Sequence, residues 1–141
     1  MTAKISYDDV EVGTELPPQT FGVTRATLVR YAGASGDFNP IHWNERFAKE
    51  VGLPDVIAHG MFTMAEAIRV VTDWTGDPGA VVEYGVRFTK PVVVPDDEGA
   101  TVEVSAKIGA KLDDNTVRVD LTAMSAGQKV LGMSRAVVRL A

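Results

Sequence analysis

The sequence predicts an α+β domain in which a curved antiparallel sheet lies against one buried helix. Three observations predict it. Apolar and polar residues alternate through most of residues 81–140, the pattern of strands with one buried face. Short turn-forming clusters separate those runs. Residues 61–74 carry apolar side chains around most of a helical circumference, which demands burial.

The elements follow in order. Residues 19–23 read as a short opening strand. Thr24 is placed to cap a helix over Arg25–Ala32, with Leu28, Val29 and Tyr31 as its apolar contacts and Gly33 and Gly36 as its stop. Residues 36–42, Gly-Asp-Phe-Asn-Pro-Ile-His, hold turn formers without a period and read as an ordered loop. Asn44 caps a second helix, Glu45–Val51, ended by Gly52 and Pro54. The buried helix runs from Met61 to Trp74, with Thr63, Glu66, Arg69 and Asp73 in a narrow polar stripe. Gly76-Asp77-Pro78-Gly79 ends it. Four strands follow. In 81–90 the apolar face is Val82, Tyr84, Val86 and Phe88; in 101–108 it is Val102, Val104, Ala106 and Ile108. In 116–124 it is Val117, Val119, Leu121 and Ala123, while 129–140 is apolar on both faces. Asp113-Asp114-Asn115 and Ala126-Gly127 fit hairpin turns.

A chain of 141 residues is most simply one domain, 1–141. Fourteen Lys and Arg against nineteen Asp and Glu give a formal charge of −5, which supplies no broad basic face for nucleic acid. Cysteine is absent, so disulfides, a thiolate nucleophile and a Cys-type zinc site are excluded. Nowhere do about 18 apolar residues run together, so no membrane span is expected. The stretch after Met1 holds Lys4, Asp8, Asp9 and Glu11 rather than an apolar signal core. The expectation is a cytoplasmic protein.

Two short segments can carry chemistry. Asp37 and His42 flank Asn39-Pro40, where the chain can fold so that a carboxylate and an imidazole meet one small volume. Pro40 keeps Asn39 extended, and the Asn39 side chain can bond nearby backbone groups and brace the loop. Such a pair can hold one water molecule and exchange a proton near neutral pH. The plainer alternative is a turn-forming Asp and an unconnected His. The second segment is Ala58-His59-Gly60-Met61, where the buried helix begins. Helix N-termini present unpaired N–H groups. The Gly60 amide could hold a carbonyl oxygen that gains negative charge, or Gly60 could merely permit a tight entry to the helix. His59 is expected to bond locally. A metal site from Asp37, His42 and His59 is conceivable but has no recognised ligand spacing, and none is expected.

Read together, Tyr31-Ala-Gly-Ala-Ser-Gly-Asp-Phe-Asn-Pro-Ile-His42, Ala58-His59-Gly60-Met61 and Tyr84-Gly-Val-Arg-Phe88 with Pro91 resemble the hydratase-2 motif of the MaoC-like enoyl-thioester hydratases and dehydratases. The likeness runs from about Tyr7 to Leu140. It implies a hot-dog fold, a sheet wrapped around a central helix, and pairing of such domains as a homodimer or as a heterodimer with a second hot-dog subunit. It implies reversible hydration of a trans-2-enoyl thioester to a (3R)-3-hydroxyacyl thioester, as in the dehydratase step of fatty-acid or mycolic-acid-precursor elongation. By position, Asp37 and His42 become the catalytic pair, Gly60 the backbone oxyanion donor and Asn39 the loop brace. No cofactor is implied; the substrate arrives on coenzyme A or acyl carrier protein.

An acyl channel would need apolar walls, for which Phe38, Trp43, Phe62 and Met64 are the expected residues. Arg25, Arg30, Arg46, Lys49 and Arg87 could meet phosphates or an acidic carrier, or be solvated charges. Two other readings use the same fold: a subunit that depends on a partner chain for activity, and a thioesterase, against which the Asp–His pair argues.

Overall fold

The computed structural model describes residues 4–141. The first strand, β1 (Gln19–Val23), leads into α1 (Arg25–Ser35). Thr24 caps α1 as expected: its side chain accepts from the Thr27 N–H, and Thr27 bonds back in a capping box. The helix passes through Gly33 and stops at Gly36, whose φ of 76° makes the left-handed C-cap. One glycine inside a helix costs about 1 kcal/mol against Ala, too little to end it. Within the 36–42 loop, Pro40–His42 forms a single 3-10 turn. Asn44 caps α2 (Glu45–Glu50) by accepting from the Phe47 N–H.

The predicted helix over Met61–Trp74 is two helices, α3 (Gly60–Ala67) and α4 (Arg69–Thr75), broken at Ile68. The Tyr84 hydroxyl donates to the Met64 carbonyl at 2.9 Å. The Ile68 N–H reaches that same acceptor only at 3.4 Å. A side chain inserted into the backbone ladder is a recognised cause of such a break. The helix pair also lies less deep than its composition predicts. Ala67, Val70 and Val71 enter the core, and Thr63 of the expected polar stripe is buried, while Met61 is exposed.

The remaining strands are β2 (Val81–Phe88), β3 (Ala100–Lys111), β4 (Thr116–Ser125), β5 (Gln128–Lys129) and β6 (Leu131–Arg139). They pair antiparallel in the order β1-β3-β4-β6-β2, with β5 on β4. Both expected hairpin turns are present. Asp114 and Asn115 have φ of 57° and 56°, and Ala126 and Gly127 have 49° and 74°, as a type I′ turn requires. The alternating residues of β3 and β4 do turn inward: Val102, Val104, Ile108, Val117, Val119 and Ala123 are buried with Ala136 and Val138 of β6. Each such Val or Ile side chain contributes about 1.5–3 kcal/mol by leaving water. Strand β2 departs from its pattern. Its register against β6 shifts between Val81 and Glu83 and again between Gly85 and Arg87. Tyr84 and Val86 still pack against the core, while Val82, at the first shift, and Phe88, at the end of the strand, stand exposed on the sheet edge. A curved antiparallel sheet holding a helix against its inner face is the hot-dog arrangement.

Candidate active site

The 36–42 loop is shaped by its own side chains. Asp37 Oδ1 accepts from the Asn39 N–H at 3.1 Å, and Asn39 Oδ1 accepts from the Ile41 N–H at 3.2 Å. These two Asx turns in succession give Asn39 its bracing role and fix where Asp37 and His42 point. Asp37 Oδ2 lies 3.9 Å from His42 Nε2. The Asp37 side chain is half exposed and the His42 side chain is buried.

The protonation pattern follows from the partners. His42 Nδ1 is 2.6 Å from the Ile57 carbonyl, which can only accept, so Nδ1 carries the proton. Nε2 of the neutral ring then presents its lone pair towards Asp37. Burial, the largest influence, holds the His42 imidazole below its ordinary pKa; the Ile57 bond opposes it, the neighbouring His59 adds to it, and the Asp37 charge opposes it.

The Ile57 carbonyl is itself held from both sides. Ile57 N–H donates to Ile41, Ala58 N–H to Val92, and Val94 N–H to Val56. Arg25 ties this ribbon down, donating from Nη2 to Asp55 Oδ1 and from Nε to the Val94 carbonyl, both at 2.6 Å. Asp55 Oδ1 also accepts from the Val56 N–H. Neither Ile57 nor the Arg25–Asp55 pair was read from the sequence. One signal existed: Arg25 opens α1, where a cation opposes the helix dipole, so a specific partner was to be sought. Of the other cations considered, Arg46 faces Glu50 at 3.9 Å and Lys49 bonds Glu45 at 2.8 Å on the α2 surface.

Gly60 is the first residue of α3, where backbone N–H groups lack an intrahelical acceptor. A Cβ there would stand 2.9 Å from the Phe88 ring, so any other residue would push that ring aside. Asp37, His42, His59 and Gly60 all line one cavity of about 630 Å³. Its apolar wall is Leu53, Met61, Phe88, Val92 and Leu131.

The four expected channel residues do not form that wall. Phe38 points outward, and Trp43 Nε1–H donates to its carbonyl at 3.0 Å on the outer side of the loop. Phe38 lies between Asp37 and Asn39 in the first Asx turn, with its side chain in solvent. Phe62 packs edge-on against Phe21 and Tyr31, and Met64 is half buried on α3. From the first turn of α3, Met61 and Thr63 line the cavity instead.

His59 is among the most buried side chains, 2% exposed. Its ring stacks on His42 with centroids 3.7 Å apart and planes 20° apart. The ligating atoms of Asp37, His42 and His59 lie within 4.8 Å of one another. Imidazole lone pairs lie in the ring plane, so two stacked rings aim side by side rather than converging on one tetrahedral ion. Among the described residues no helix is long and apolar enough to cross a membrane.

The chain resembles known proteins in sequence and in fold. The family model described as a MaoC like domain matches residues 9–126. The 3-hydroxyacyl-thioester dehydratase X of Mycobacterium tuberculosis is 44% identical over 90 residues, 62% of this chain and 31% of that protein. A solved structure titled MaoC-like dehydratase superposes with a TM-score of 0.96 at 45% identity, covering 99% of this chain and 43% of that one. The R-hydratase PhaJ1 of Pseudomonas aeruginosa superposes with a TM-score of 0.78 at 28% identity, covering 99% of this chain and 88% of that one. The chain thus spans about a third of the first relative and under half of the first structure.

Proposed function

The chain belongs to the MaoC-like domain family, and from that premise we propose that it interconverts trans-2-enoyl and (3R)-3-hydroxyacyl thioesters by adding or removing water. The observation that carries this reading is the approach of Asp37 Oδ2 and His42 Nε2 to 3.9 Å on a cavity wall shared with Gly60. Both atoms are acceptors, so the pair calls for a donor between them. A water molecule giving one hydrogen bond to each, roughly 2.8 Å long, sets its two acceptors roughly 4–4.5 Å apart. The observed separation is close to that.

In the hydration direction the pair takes a proton from this water as its oxygen bonds C3 of the enoyl chain. The electron pair of the C2–C3 double bond moves onto C2 and the thioester oxygen. The Gly60 N–H meets that oxygen as its charge grows, the largest electrostatic demand of the reaction. The proton held by the pair then goes to C2. Dehydration is the reverse, with the proton leaving C2 and returning to the departing hydroxyl. Oxidation states balance without a redox partner. The proton handling is assigned to the pair and is not divided between its two groups.

The substrate is an acyl thioester of coenzyme A or acyl carrier protein, its chain seated against Leu53, Met61, Phe88 and Leu131. The names of the relatives, a 3-hydroxyacyl-thioester dehydratase and an R-hydratase, support this class. A place in fatty-acid elongation belongs to the same reading. Coverage of only 43% of the superposed MaoC-like dehydratase favours a second form of it, in which the domain works beside another hot-dog domain, as a homodimer or a heterodimer. Purified protein given crotonyl-CoA or a longer enoyl thioester is expected to consume the enoyl absorbance. Activity unchanged in both Asp37→Asn and His42→Ala would overturn the reading, and faster release of free thiol would replace it with thioester hydrolysis.

A further inference from the structure

His59 is a buried titratable group that the reaction above does not use. Its Nε2 is 3.1 Å from the Asp37 carbonyl, which can only accept, so Nε2 carries a proton and donates it. Its Nδ1 is fully buried, with no hydrogen-bond partner among the described residues. Neither ring nitrogen is therefore open to a substrate. Its face covers the His42 ring at 3.7 Å, and Tyr31 meets it edge-on at 4.6 Å. The same imidazole touches the main chain of one reactive residue and the ring of the other.

We infer that His59 is a positioning residue that sets the spacing of the Asp37–His42 pair, anchoring the Asp37 backbone through Nε2–H and fixing the His42 ring plane by stacking. The inference rests on the hydratase reading. Without the anchor, the hydrogen bonds that hold Asp37 among the described residues are those with Ser35 and Asn39, its near neighbours in the chain. Without the stack, His42 keeps the Ile57 bond as a hinge about which its ring can swing. A misplacement of about 1 Å between reacting groups costs on the order of 100-fold in rate.

Two substitutions separate the contributions. His59→Phe keeps a flat ring and loses the donor; His59→Gln keeps a donor and loses the stack. Each is expected to lower kcat on crotonyl-CoA by roughly 10–100-fold while KM stays close to that of the unaltered chain. The groups acting on His42 are the Ile57 carbonyl, His59 and Asp37. Since His59 disfavours protonation of His42, both variants should also move the acid limb of the kcat/KM profile to higher pH. The chain holds only two histidines, so imidazole ¹⁵N spectra of the unaltered protein decide the tautomers directly, whatever the variants' folding: Nε2–H on His59 and Nδ1–H on His42. A His59 proton on Nδ1 overturns the inference, as do folded variants with unchanged kcat and pH profile. An unaltered protein inactive on enoyl thioesters overturns the functional reading, and this inference with it.

Discussion

The β3–β4 hairpin and the corner formed by residues 37–42 and 55–60 are both well ordered, but by different means. In the hairpin, Val104 sits opposite Ala123 and Ile108 opposite Val119, and every second residue adds another aliphatic group to one core. Order there is redundant, since each contact repeats its neighbour's work. In the corner, each constraint is made once: Asn39 shapes the turn, the Ile57 carbonyl sets the His42 tautomer, and Arg25 with Asp55 holds the ribbon that carries that carbonyl. A single change in the hairpin should therefore tax stability and spare turnover, and a single change in the corner should do the reverse.

The largest effect that sharpens this contrast is Asp37→Asn, expected to lower kcat by about 10²–10⁴-fold. Because the Asp37 side chain is half exposed, its thermal midpoint should scarcely move, which calorimetry beside the enoyl assay would check. Next comes Ile108→Ala in β3. Deleting this fully buried side chain should cost about 2–5 kcal/mol in urea unfolding, with turnover per folded molecule unchanged. A loss of turnover there would break the division between the two regions.

Arg25→Met lies between them. It leaves Asp55 without its partly buried partner and should cost about 1–3 kcal/mol. It should also lower kcat, because the ribbon carrying the Ile57 carbonyl then keeps only its backbone bonds; a stability loss with unaltered kcat would confine Arg25 to the scaffold.

The smallest effect concerns pH. Burial lowers the His42 pKa, so the neutral base should persist below pH 6.5, and kcat/KM should fall only at more acidic pH. Stability has the matching sign. As pH drops below about 6.5, the unfolded chain takes up a proton that the folded imidazole refuses, so folding stability is present above that value and declines towards the folded pKa. Urea midpoints across pH 5–7 for the unaltered protein and His42→Gln would show it.

The hairpin was also the easier region to read. Period two, turn residues and capping side chains are local signals, and the caps at Thr24 and Asn44 formed as their spacing required. Asp37, Asn39 and His42 were legible because one loop of six residues builds their arrangement. The rest of the corner comes from distant segments. Nothing local announces that a backbone carbonyl at 57 will meet His42, or that His59 will stack on it. Phe38, Trp43, Phe62 and Met64 lie off the cavity wall for a related reason. Apolar chemistry singles them out in the sequence, whereas the turn of the loop and the direction of α3 decide which side chains reach the cavity. The two register shifts of β2 likewise lie outside a strict alternation, and so does the approach of Phe88 to the cavity and Gly60.

The central claim is tested most directly by supplying a trans-2-enoyl thioester in D₂O and following the product by NMR. The account predicts a (3R)-3-hydroxyacyl thioester bearing a single deuterium at C2, formed by the unaltered protein and not by Asp37→Asn. An intact enoyl thioester, the opposite configuration at C3, or free thiol in place of the hydroxy product would contradict it.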